Sequence, residues 1–206
     1  MKNIFTPNEN YRKSAFLNWR IEDGEDISNM VALAEGFLNS SIELAKTCLN
    51  DNKDKKADML IFPILNNANH GIELYLKSLI WTLNKLMNSE YKIEGRHNIK
   101  QMLQTVKSKI KSYKGKDWEA NFIEINKDLV AYIDELFDLI TNEDGRDNMD
   151  FSRYPITEKY ENHFYVNRLG NVEIDLENFV LRFEKILEGL DERFSYFFYE
   201  ELLEAE

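Results

Sequence analysis

From Asp26 to Leu49 the apolar positions Ile27, Met30, Val31, Ala34, Phe37, Leu38, Ile42, Ala45 and Leu49 recur three and four residues apart, the spacing of one stripe along an amphipathic helix. The same spacing returns three more times, in Phe122, Ile125, Leu129, Ile133, Leu136 and Ile140, in Leu176, Phe179, Val180, Phe183, Ile186, Leu187, Leu190 and Phe194, and less regularly from 57 to 87. Turn-formers are scarce beside these stripes, with eight Gly and three Pro in 206 residues, so an architecture of many short strands is excluded. The chain reads as all-α.

The elements follow from the breaks between stripes. Residues 1–25 form an N-terminal arm in which Phe5, Tyr11, Phe16 and Trp19 have no helical period, and the arm is expected to pack on the body. Residues 26–206 form one helical domain. Its first helix starts at Asp26 and ends at the polar run 50–56. A second runs to about Met87, with Pro63 near its first turn or kinking it. A short helix spans Asn98 to about Tyr113, with Asn98 as its N-cap, and a longer one Asp117 to about Ile140. Phe164–Ile174 reads as two short strands around a turn, a small β-hairpin before the last helix, which Asp175 caps. The expectation is therefore about five helices with one hairpin inserted before the last.

Charge narrows the partners. The formal charge of −11 gives no general affinity for nucleic acid or anionic membranes. One local exception exists: residues 92–116 hold eight Lys and Arg, among them Lys100, Lys107 and Lys111, against one acid, while residues 173–206 hold 11 acids and 3 bases. The basic island can face RNA phosphate, or it can dock on the acidic C-terminal helix of its own chain or of a second copy. The single cysteine, Cys48, excludes an internal disulfide and a Cys-based zinc cluster. The first residues lack a secretory apolar core, and the longest uncharged stretch, 59–72, is too short to span a bilayer, so a cytoplasmic protein without membrane association is expected. There is no Gly-rich phosphate loop, GxGxxG, His-Glu-x-x-His or GxSxG, so no cofactor and no metal is expected from motifs.

Three segments carry chemistry. On the second helix Asn66, His70, Glu73 and Lys77 fall within about 60° of one another at 100° per residue. That row either faces solvent with a Glu-to-Lys pair, or forms a semi-buried polar row, as expected on a helix that is apolar almost all round. Next, Arg96 and His97 precede a helix start, where free N–H groups favour an anion. Last, Arg153 and Tyr154 sit among the aromatics of Phe151–Pro155. Arg153 is expected to reach inward to Glu73, giving a structural cluster of His70, Glu73, Lys77, Arg153 and Tyr154.

In order, His-Gly-Ile-Glu-Leu-Tyr-Leu-Lys-Ser-Leu-Ile (70–80), His-Asn-Ile-Lys-Gln-Met-Leu (97–103) and Phe-Ser-Arg-Tyr-Pro (151–155) resemble the HEPN superfamily, the higher-eukaryote and prokaryote nucleotide-binding helical proteins. The resemblance implies an antiparallel helical bundle, a homodimer, and a place in a prokaryotic defence, abortive-infection or toxin–antitoxin module that binds RNA, nucleotide or a protein partner from the same module. Ribonuclease members carry an Arg, four to six residues, then a His. Here the nearest such spacing is Arg153 to His163 with nine between. The expected function is a module that binds RNA or nucleotide without the usual ribonuclease motif. The alternative is an active metal-independent ribonuclease in which His97 exchanges the proton and Arg96 and Arg153 hold phosphate, His being the side chain whose unperturbed pKa suits neutral pH. A third reading, a metal-binding bundle, would use His70 and Glu73.

Overall fold

The computed structural model describes residues 3–18, 20–90, 97–141, 149–157, 159–166 and 171–204. Six α-helices account for most of them: α1 (Asp26–Asn50), α2 (Ala57–Leu86), α3 (Ile99–Lys114), α4 (Lys116–Ile125), α5 (Lys127–Ile140) and α6 (Leu176–Ser195), the last running on as a π-helical segment, Tyr196–Leu203. Short 3-10 turns lie at Tyr11–Lys13 and Met149–Ser152. No sheet forms among the described residues.

α2 is the centre of the fold, packing against α1, α3 and α6. Its burial all round explains why it is nearly continuous in apolar residues. The crossing with α1 is close. A Cβ on Gly71 would stand 2.6 Å from Leu38 Cγ and 3.0 Å from the Ala34 carbonyl oxygen, so only glycine fits there. Asn67 donates to Ser40 Oγ at 3.0 Å across the same seam. Pro63 lies inside α2, yet both Pro63 and Met59, whose carbonyl it leaves unbonded, are exposed, and water can satisfy that group.

Both expected N-caps form: Asn98 accepts from the Gln101 amide at 2.9 Å, and Asp175 from the Asn178 amide at 3.1 Å. The helix expected over 117–140 is instead two. At the break the Asn126 side-chain amide donates to the Phe122 carbonyl at 3.1 Å, a local bond that competes with helical continuation. α6 presses on this point, since a Cβ on Gly189 would meet Asn126 Oδ1 at 3.0 Å and the Ile125 carbonyl at 3.1 Å.

Two expectations are corrected. The β-hairpin is not formed among the described residues: Phe164, Tyr165 and Val166 make a turn, 171–175 form no strand, and 167–170 lie outside the described residues. Strand alternation would send Phe164 and Tyr165 to opposite faces. Instead both rings join one aromatic cluster, Phe164 at 5.5 Å from Phe151 and Tyr165 at 5.4 Å from Phe62, while the Tyr165 hydroxyl donates to the Phe151 carbonyl at 3.1 Å. One isolated antiparallel bridge, Ile156 with Asn162, lies just before it. Among the described residues of the N-terminal arm the aromatics Phe5, Tyr11 and Phe16 are likewise exposed and not packed on the body, Trp19 lies outside the described residues, and the arm is tied down near α1, where Asn29 exchanges two hydrogen bonds with the Glu22 backbone.

Candidate functional site

The polar row of α2 is semi-buried, and Glu73 is its hub. Glu73 Oε1 accepts from Lys77 Nζ at 2.6 Å and meets His97 Nδ1 at 3.0 Å, while His70 Nδ1 lies 3.9 Å from Oε2. The Glu73 and Lys77 side chains are only 11% and 16% exposed, whereas that of His97 is 77% exposed. A buried carboxylate thus orients an imidazole that stands in solvent immediately before the N-terminus of α3. His70 packs edge-on against Phe37, ring centroids 4.4 Å apart.

Burial pushes the Glu73 carboxyl up, but Lys77 and His97 together more than offset it and leave the group below the usual carboxylate range. An ionised carboxylate only accepts, so the proton on His97 Nδ1 is assigned to that nitrogen by the bond it makes. Nε2 of the neutral ring is then an acceptor. The depressed Glu73 also sets an acid dependence. Its pairing stabilises the fold fully above the unfolded carboxylate value of about 4.3 and is lost as pH falls through the lower folded value. In urea titrations between about pH 5 and pH 3, Glu73→Gln should flatten the fall of stability with acid relative to the parent. An unchanged slope would show that Glu73 is not a principal acid-sensitive group.

Arg153 does not join this cluster. The 3-10 turn Met149–Ser152 buries Phe151 and leaves Arg153 and Tyr154 exposed, with the Arg153 guanidinium 5.6 Å from the Tyr154 ring. That turn is tied through Tyr165 to Phe62, eleven residues before Glu73 on α2, or about 16 Å along the axis. An arginine cannot bridge that distance, and His97 takes the place expected for it. The stretched Arg153-to-His163 spacing presents no imidazole to the surface either, because His163 is 2% exposed and stacks near Tyr165. Arg96 lies outside the described residues.

Among the described residues, three lysines of the basic island are answered by acids of the same chain. Lys100 Nζ is 3.2 Å from Asp134, Lys111 is 3.2 Å from Glu119, and Lys114 is 2.5 Å from Glu201, while Lys107 is half-buried. Glu201 also accepts from the Tyr113 and Tyr196 hydroxyls, and these donors with Lys114 hold its carboxyl below the usual range despite its burial. Of the two readings of the island, docking on the chain's own acids is realised at Glu201. Among the described residues no group of three His, Cys, Asp or Glu is placed to hold a metal ion, and the Glu73 oxygen nearest His97 is already shared with Lys77. Among the described residues no helix is long and apolar enough to cross a membrane.

Sequence reasoning placed His97 at a helix start but missed that Glu73 positions it. The missing information was the path of the chain from α2 to α3, which no periodicity encodes. Comparison with protein-family models, with curated proteins and with solved structures returns no match to this chain.

Proposed function

We propose that this chain is a HEPN-like protein of a prokaryotic defence, abortive-infection or toxin–antitoxin module, an antiparallel helical bundle that works as a homodimer and holds an RNA or nucleotide phosphate at the His97 end of α3. The observation that carries the reading is the exposed His97 imidazole fixed by buried Glu73 beside a capped helix N-terminus, where backbone N–H groups favour an anion. Because Lys100 and Lys111 are engaged by Asp134 and Glu119, the phosphate contact narrows from the whole island to this end. A fluorescein-labelled RNA oligonucleotide and a labelled nucleotide should each be titrated by anisotropy at two salt concentrations. With Nδ1–H given to Glu73, phosphate is held by the protonated ring, in which Nε2–H also donates, so binding should weaken with salt and drop about tenfold in His97→Ala, a loss on the scale of one charge-assisted hydrogen bond. No binding of either probe, or equal binding by the variant, rejects the reading.

The His97–Glu73 dyad also favours a second reading, metal-independent ribonuclease action. With Nδ1–H held by Glu73, the Nε2 lone pair is free to take the proton of a 2′-hydroxyl, the task of a general base, and Arg96, next to His97 in sequence, would hold phosphate, a role that Arg153 is placed too far along α2 to share. Cleavage in the presence of EDTA, reduced at least about 10²-fold in His97→Ala, is the expected result under this reading. Full activity of His97→Ala alongside a dead His163→Ala would reassign the base.

A further inference from the structure

A second imidazole stands at the Glu73 hub. His97 Nδ1 meets Oε1 at 3.0 Å and His70 Nδ1 lies 3.9 Å from Oε2, so the two rings flank a single carboxylate. Spacing on α2 puts His70 on the same face as Glu73, three residues on, and the start of α3 brings His97 to the other oxygen. The carboxylate is nearly buried, while the His70 side chain is 42% exposed and that of His97 is more so. Nε2 lies across each ring from Nδ1, so both imidazoles direct that nitrogen away from Glu73.

The two rings are held differently. Oε1 takes both the His97 contact and the Lys77 ammonium, which fixes the tautomer of His97 and leaves its Nε2 an acceptor. At 3.9 Å His70 is within ion-pair range of Oε2 but beyond hydrogen-bond length, so no proton of His70 is committed to the carboxylate. Packing positions it instead: the Phe37 ring of α1 meets it at 79°, centroids 4.4 Å apart. Lys77, the other cation at the hub, is 16% exposed and its ammonium is bound to Oε1 at 2.6 Å. Of the described groups around Glu73, His70 is therefore the one that can offer a proton to a molecule in solvent while His97 accepts one.

Breaking RNA at its own 2′-hydroxyl needs two proton transfers, and a base alone leaves the departing 5′-oxygen as an alkoxide. We propose, resting on the ribonuclease reading of His97, that His70 is the general acid of the same reaction and that the substrate is an RNA phosphodiester with a free 2′-hydroxyl lying across both rings. The 2′-hydroxyl proton passes to His97 Nε2 as the 2′-oxygen bonds to phosphorus. The bond from phosphorus to the 5′-oxygen breaks as that oxygen takes a proton from Nε2 of the His70 imidazolium. The products are a 2′,3′-cyclic phosphate and a 5′-hydroxyl, and nothing else is consumed. His97 ends protonated and His70 neutral, and exchange with water resets both, since both rings are exposed.

A change of leaving group tests this. The full chain, in EDTA, is given an RNA oligonucleotide that it cleaves and the same oligonucleotide with sulfur in place of the 5′-oxygen at the cleaved bond. A thiolate departs without a proton, so the sulfur substrate dispenses with the acid but not with the base. His70→Gln and His70→Asn should each slow the oxygen substrate by about 10²-fold or more and cleave the sulfur substrate at the parent's rate, whereas His97→Ala should be slow on both. Loss on both substrates in the two His70 variants would make the ring a packing partner of Phe37 and overturn the proposal. A parent-like rate of those variants on the oxygen substrate also overturns it, with the ribonuclease reading intact. Rescue of His97→Ala rather than of the His70 variants by sulfur rejects the division of roles. A parent protein that cleaves no RNA removes the ribonuclease reading itself, and the acid with it.

Discussion

Replacing Glu73 with alanine should destabilise the protein by about 3 kcal/mol, whereas Arg153→Ala should cost no more than about 0.5 kcal/mol. The difference rests on burial. Lys77 is 16% exposed and donates to Glu73 at 2.6 Å, so removing the carboxylate strands an ammonium in a helix that is buried all round. Arg153 is exposed on a turn far along α2 and its loss strands nothing. Urea unfolding monitored by circular dichroism measures both. The double variant Glu73→Leu with Lys77→Met should recover much of the loss, because replacing both charges removes the desolvation cost along with the attraction. If Glu73→Ala costs under about 1 kcal/mol, the pair behaves as a surface pair and the hub role assigned to Glu73 fails.

The second large effect is steric, and it comes with a partner of opposite sign. Gly71→Ala should cost about 2 kcal/mol, since its methyl group would meet Leu38 Cγ at 2.6 Å and the Ala34 carbonyl at 3.0 Å, and backbone cannot be repacked as a flexible side chain can. Gly36, in the same seam's first helix, has nothing within 4 Å of the position a Cβ would take. There alanine should stabilise by about 0.5–1 kcal/mol through helix propensity alone. Thermal unfolding of the two variants should shift in opposite directions. A shift of the same sign would mean that the α1–α2 approach is looser than 3 Å contacts require.

What could be read from the sequence was what is local. The stripes of α1, α2 and α6 are set by which side chains must leave water, and the caps at Asn98 and Asp175 by a side-chain oxygen reaching an amide three residues on. The semi-buried row on α2 was legible for the same reason. The break at Asn126 was not, because the stripe continues through it and its cause lies partly in Gly189 of α6, distant in sequence. The hairpin failed because alternation at 164–174 imitates a strand, while Phe62 and Phe151 draw two neighbouring rings to one side. Glu73's partner was misassigned to Arg153 because charge complementarity names a type of residue, not a place.

The π-helical end of α6 makes the clasp on α3 a matter of register. Tyr196 and Glu201 are five residues apart, and in an ordinary α-helix that offset would turn them about 140° from each other. Bonds from i to i+5 widen the turn, so the two side chains stack and reach Lys114 together. A chain one residue shorter here, wound as an α-helix, would bring the same pair to an i,i+4 spacing and so to the same face. A variant that lacks one residue between 197 and 200 is therefore expected to keep the contact by winding the segment as an α-helix.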